Sequence, residues 1–336
     1  MLIGHFTEQP YQDMESGIIG RDIQDLEVSN AIFNRNVASD LYNRYLDEKL
    51  YAEEMGFDAF MLNEHHATPF CMSNVPNVQA AILARQSKKA KIVILGNVLP
   101  TRDNPLMLAE ELAQIDLISR GRLVSGLIRG GGREFVALDS PPHDNWERFQ
   151  EAHDFILKTW TTPGPFRWEG KHFQYRYVNP FIFPFQKPHP PIWIPTAVSI
   201  RTIKWAAKYL YPIVVLATKL GPSKEIFDLY HKTAAEYGHK SGPQHTAYLT
   251  RIHVDETEEL AMETSKKYIE GPSNPHLFGN EGIINKATTN LPGHTSRKRS
   301  HQVAAGSYVP ESGKHHEEGA WDHPFEVQVR DHRLLT

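Results

Sequence analysis

The chain has 336 residues, 40% of them hydrophobic and 23% charged, with a net charge of −4. That is the composition of a folded globular protein with room for one large core, and its mildly acidic balance gives no reason to expect nucleic acid or an anionic membrane as a partner. A single cysteine, Cys71, excludes an intrachain disulfide, in keeping with a reducing compartment. The opening Met1-Leu2-Ile3-Gly4-His5-Phe6 turns polar too soon for a secretory signal. No apolar run nears the roughly 18 residues that span a bilayer, so the expected location is the cytoplasm.

Leu2–Phe6 reads as a short buried strand, followed by a polar loop to residue 36. Ala38–Met55 has helical spacing, with Leu41, Tyr45, Leu46 and Leu50 on one side, and Gly56 ends it. FDAFML at 57–62 is the next strand, with Asn63-Glu64-His65-His66 at its C-terminal end. Val78–Arg85 is helical, and IVILGNVL at 92–99 is a strand that stops at Pro100. Pro105 opens a helix to about Ile118. Leu123–Ile128 is a strand running into Arg129-Gly130-Gly131-Gly132, and Trp146–Trp160 is an amphipathic helix. Residues 161–190, rich in Pro and aromatics, read as an irregular excursion. Strands at Pro191–Pro195, Ile213–Ala217 and Tyr248–Val254 then alternate with helices at Ser199–Leu210, Ser223–Tyr237 and Thr257–Tyr268.

Seven strands alternating with helices argue for a parallel sheet. The first strand leads into Thr7-Glu8-Gln9-Pro10 instead of a Gly-rich dinucleotide turn, which favours an α/β (β/α)8 TIM barrel over a doubly wound sheet. Residues 270–336 hold no clean strand-helix pair; FEVQV at 325–329 alternates, but no helix follows it. The eighth unit is therefore expected to be missing or atypical. The division implied is a barrel domain over 1–289 and an atypical tail over 290–336, expected to be poorly ordered.

Barrel function sits on the loops after strand C-termini, which selects four places. Asn63-Glu64-His65-His66 offers imidazoles tunable near neutral pH, with Glu64 able to orient one; alone, the tetrad fits ordinary polar residues at a strand end as readily. A metal site there lacks further ligands that the sequence can place. Leu99–Pro105 alone reads as a turn into a helix. Arg129 and Gly130 combine planar anion recognition with close backbone approach, or form a flexible loop. Ser199, Arg201 and Thr202 at a helix start suit a phosphate, or Ser199 is a simple cap. His315-His316 reads as exposed.

Taken in order, FDAFMLNEHH, LGNVLPTRDNPLMLAEELAQIDLISRGRLVSGLIRGGGREF and PHPPIWIPTAVSIRTIKWAA resemble the bacterial luciferase-like, flavin-dependent monooxygenase family over about residues 1–270. The resemblance implies a barrel binding FMN at its C-terminal mouth. It implies His65 as the catalytic histidine with Glu64 beside it. It places Leu95-Gly96 where the family has an unusual, often cis, peptide bond beneath the flavin, Arg129 and Gly130 near the flavin phosphate, and Ser199 and Thr202 holding that phosphate, with Arg201 assisting. Val198 stands where luciferase itself has a carboxylate. The resemblance further implies a small organic substrate, dioxygen, a separate NAD(P)H:flavin reductase and a homodimer or heterodimer. The excursion at 161–190 and the segment at 271–290 are expected to wall the pocket; Phe166, Trp168, Phe173, Phe181 and Phe183 suggest an apolar or planar substrate, or equally local packing. Two other readings stay open: an F420-dependent oxidoreductase on the same barrel, and a truncated or non-catalytic flavin-binding partner subunit.

Overall fold

The computed structural model describes residues 2–13, 18–19, 26, 28–196, 199–216, 220–250 and 252–268. In chain order the strands and α-helices are β1 (Gly4–Phe6), β2 (Gln12–Asp13), β3 (Ile18–Ile19), α1 (Arg35–Glu54), β4 (Ala59–Leu62), α2 (Pro76–Gln86), β5 (Lys91–Val98), α3 (Pro105–Ser119), β6 (Leu123–Ile128), α4 (Gly132–Ala137), α5 (Asn145–Thr161), β7 (Phe166–Glu169), β8 (Gln174–Val178), β9 (Ile192–Thr196), α6 (Ile200–Lys208), β10 (Ile213–Leu216), α7 (Leu220–Glu236), β11 (Thr246–Leu249) and α8 (Glu258–Tyr268). Each strand of the alternating pattern is present, the last displaced toward the N-terminus: β11 pairs residue for residue with the four positions of β10 and then stops, leaving Ile252 and Val254 exposed beyond it.

The main sheet is parallel, in the order β1-β4-β5-β6-β9-β10-β11. Seven of the eight residues of β5, KIVILGNV, are buried, as expected of a strand covered on both faces. The outer face packs under α2, α3, α5, α6 and α7 through residues such as Leu83, Leu112, Phe149, Ile203 and Tyr230; each large apolar side chain so buried contributes about 1.5–3 kcal/mol. The inner face forms one cluster running from Phe6 on β1 through Val93, Val124 and Val214 to Leu249 on β11. All seven strands contribute to that one inner cluster, and the sheet curls into a half-barrel around it. Among the described residues β1 and β11 form its two edges, the open side of the barrel.

The run Asp116-Leu117-Ile118-Ser119-Arg120-Gly121-Arg122 holds the base of the barrel together. Arg122 donates to Ser87 Oγ and to the carbonyls of Ala84, Ser87, Ala90 and Ser119, tying α2 and α3 to the start of β5. Buried Asp116 accepts from the backbone and side chain of Gln186, both at 2.8 Å. Arg120 closes α3 in the left-handed conformation, and Gly121, at φ +83°, continues the turn.

The excursion at 161–190 contains a hairpin, β7 against β8. It packs outside α5: Trp168 meets Phe155 edge-on, Tyr175 stacks on Phe155 at 4.7 Å, and Arg148 lies over Phe173. Phe181 is fully exposed, and Phe185 lies against Gly121 at the base. Phe166, Trp168 and Phe173 thus follow the local-packing reading, against α5, instead of lining the pocket, while Phe181 and Phe183 are exposed. What draws Phe166, Trp168 and Phe173 is α5, outside the sheet.

On α1, the stripe Ala38, Leu41, Tyr45, Lys49, Ala52 is buried. Burial lowers the Lys49 amine from its ordinary value to about 8, and its nitrogen has no hydrogen-bond partner among the described residues. No helix among the described residues is long and apolar enough to cross a membrane.

Candidate active site

The strand alternation decides which of the clustered polar side chains face the mouth. Ala59 and Met61 on β4 belong to the inner cluster, while Phe60 and Leu62 belong to the outer one. Carried past the strand end, the two-residue period puts Asn63 and His65 on the inner side and Glu64 on the outer. The contacts agree. Asn63 Nδ2 donates to Glu8, in the turn after β1. His65 Nδ1 lies 2.9 Å from Glu134 Oε1 on α4, and Nε2 lies 3.9 Å from Glu8 Oε2.

Burial opposes charge on the His65 ring. The hydrogen bond to Glu134 and the carboxylates of Glu8 and Glu134 outweigh it and raise the imidazole above its ordinary value. Burial likewise works against the Glu134 anion, but the bond from His65, its charge and the Gly131 N–H hold that carboxyl below the usual range. The two opposite shifts describe an imidazolium-carboxylate pair.

Glu64 contacts other groups. Its fully buried carboxylate accepts from Arg102 Nη2 at 2.7 Å and Val98 N–H at 3.4 Å, and lies 3.1 Å from His66 Nε2. It orients His66, and not His65, and it ties the end of β4 to the turn after β5. In that turn Pro100 O accepts from Arg148 Nε at 2.8 Å, which fixes α5 to the same rim.

Leu95 and Gly96 lie where β5 and β6 change register, between Ile94 and Asn97. The peptide expected to be cis is not: among the described residues the cis bonds precede Pro165 and Pro188. The distortion takes another form. Gly96 sits at φ +139°, and a Cβ there would come within 2.4 Å of Ile128; opposite it, a Cβ on Gly126 would lie 1.9 Å from the Ile94 carbonyl oxygen. Two residues of one strand thus pass one of the other because both strands are bare at that point.

The other side of the mouth is cationic. Arg129 follows β6, and Gly130 at φ +77° turns the backbone close to Val98. Ser199 caps α6, its Oγ accepting from the Thr202 hydroxyl at 3.0 Å and the Thr202 N–H at 3.4 Å. Arg129 and Arg201 both lie over the ring of Trp146, at 5.8 and 4.2 Å. Among the described residues neither guanidinium has an ion-pair or hydrogen-bond partner. Burial, and then Arg201, pull Arg129 below its ordinary value. Two adjacent cations without a carboxylate suit a doubly charged anion, and a phosphate fits this donor set. Val198, the segment at 271–290, FEVQV at 325–329, His315-His316 and the tail from 290 lie outside the described residues.

The structure thus brings His65, Asn63, Arg129, Gly130, Ser199, Arg201 and Thr202 to one end of the sheet. Sequence reasoning missed Glu8, Glu134, Arg102 and Trp146. For Glu134 a local signal existed: it stands three residues after Gly131 in a capping-box spacing. Asp144, Glu147 and His172 also cluster, beside the hairpin tip, but Glu147 there is held by Lys171 at 2.5 Å.

The chain is 28% identical to the alkanal monooxygenase alpha chain of Photorhabdus laumondii subsp. laumondii over 207 residues, 61% of this chain and 57% of that one. It is 29% identical to the oxygenase component of a flavin-dependent trigonelline monooxygenase of Acinetobacter baylyi, over 48% of this chain and 45% of that one. The matched part is less than two thirds of the length of either relative. The fold is shared with a crystal structure of a monooxygenase from Streptomyces bottropensis, at a TM-score of 0.63 and 24% identity, covering 78% of this chain and 76% of that one. The luciferase-like monooxygenase profile matches residues 30–326, and the chain belongs to that family.

Proposed function

We propose that the chain is the oxygenase of a two-component, FMN-dependent monooxygenase, oxidising a small organic substrate with dioxygen and with reduced flavin delivered by a separate NAD(P)H:flavin reductase. The observation that carries this reading is the pairing, at one mouth, of a histidine able to hold a proton with two guanidiniums that, among the described residues, have no carboxylate partner. The relatives support it: one is named an alkanal monooxygenase, another the oxygenase component of a flavin-dependent enzyme. In this reading Arg129 and Arg201 take the phosphate, helped by the Ser199 and Thr202 hydroxyls at the start of α6. Leu95 and Gly96 form the floor beneath the ring system, and Gly130 allows close backbone approach. The flavin supplies the activation of dioxygen. His65 holds and returns a proton at the mouth, and Glu64 fixes the rim beside it through Arg102.

Equilibrium binding of chemically reduced FMN, riboflavin and F420, measured anaerobically by fluorescence and absorbance, tests the cofactor. FMN should bind at least about tenfold more tightly than riboflavin, the margin of one charge-assisted contact to phosphate. Equal affinity for the two, or preferential binding of F420, would overturn the reading.

A further inference from the structure

Glu134 lies 69 positions from His65 in the chain, and its carboxylate makes two contacts. Oε1 meets His65 Nδ1 at 2.9 Å; Oε2 accepts from the Gly131 N–H at 3.1 Å. The second bond belongs to the capping arrangement of α4, so the backbone of the Arg129-Gly130-Gly131 turn restrains the carboxylate. The Nδ1 side of the ring is committed. Nε2 is left over, because Glu8 Oε2 at 3.9 Å is beyond hydrogen-bond reach and is already bonded by Asn63.

We propose that Glu134 is the positioning residue for His65: it fixes the ring with Nδ1 as a bound donor and leaves Nε2 as the atom that carries the exchangeable proton at the mouth. Glu64, next to His65 in the chain, cannot take this role because Arg102, Val98 and His66 occupy its oxygens. The charged groups acting on the ring are Glu134 and Arg133 from α4 and Glu8 from the turn after β1, with Phe70 against its edge. Arg133 and burial act against protonation, the two carboxylates act for it, and the carboxylates prevail. The inference deepens the proposed reading of His65 as the proton-handling group.

Glu134→Gln tests it in the full chain. A glutamine whose oxygen accepts from Gly131 presents its amide NH2 to Nδ1, which then has to accept. The proton of the neutral ring therefore moves to Nε2. With 15N-labelled histidine, and the His65 signal assigned by its loss in His65→Asn, NMR reads both tautomer and titration midpoint. In the wild-type chain the midpoint should lie above the ordinary value of about 6.5 with Nδ1 protonated. In Glu134→Gln it should fall by about one to two pH units, and the neutral form should carry its proton on Nε2. The same midpoint and tautomer in both proteins would overturn the proposal. If Glu134→Gln does not fold, Glu134→Asp keeps the charge and shortens the reach. There a partial fall in midpoint supports the assignment, and an unchanged midpoint overturns it. These readings need neither flavin nor substrate, so a failure of the FMN assignment and a failure of this one are separately visible.

Discussion

The two rims of the mouth handle charge in opposite ways. On the β4 side carboxylates meet cations: Glu134 with His65, Glu64 with Arg102 and His66, and Glu8 close to both His65 and Asn63. On the β6–β9 side Arg129 and Arg201 share an indole and, among the described residues, no acid. A buried ion pair satisfied within the protein adds order and tuning, since each partner is held by the other. A cation pair held without a counter-ion repels itself, and that cost is offset when an anion arrives. One rim is satisfied within the protein; in the proposed reading the other is completed by its ligand.

Three substitutions break this contrast at different points. The largest effect is expected from His65→Ala, which should lower turnover by about 10²–10⁴-fold, the usual span for a lost proton-transfer group. FMN affinity should stay within about threefold, well inside one 1.4 kcal/mol decade. Steady-state kinetics beside a binding titration separate the two, and wild-type turnover would remove His65 from the chemistry. Next comes Arg102→Met, which leaves the buried Glu64 carboxylate with only His66 and a backbone N–H. Stability should fall by about 3 kcal/mol, the low end for breaking a buried pair, read as a shift in urea midpoint at unchanged slope. A loss under about 0.5 kcal/mol, the scatter of ordinary surface changes, would mean that the rim does not depend on this pair. The smallest is Arg129→Met. It should weaken FMN by about 10–100-fold while leaving riboflavin nearly unchanged; equal weakening of both would move the phosphate elsewhere.

The fold was legible where strands are buried on both faces. IVILGNVL and LVSGLI carry a continuous apolar signal, and Pro105 and Gly121 mark the helix between them. The hairpin over 166–178 was not legible, because its strands are short, half exposed and set among prolines that read as loop. Within the site, position after β4 was enough to find His65. The partner of His65 was not, because adjacency in the chain favoured Glu64, while the alternation of a strand turns neighbours to opposite faces. Trp146 was visible as the first apolar residue of an amphipathic helix, yet nothing in that pattern says that Arg129 from the turn after β6 and Arg201 from α6 come to lie on it.

Gly96 and Gly126 have a consequence for how this mouth can change. Each occupies space that a single added carbon would fill, one against Ile128 and the other against the backbone of the neighbouring strand. The two positions therefore behave as one unit: Gly126 faces main chain, which no neighbouring substitution moves aside, and Gly96 at φ +139° strains any side chain whatever stands at Ile128. Room for change at this mouth lies in the rims and the loops above them, while the crossing of β5 and β6 tolerates no side chain at either glycine.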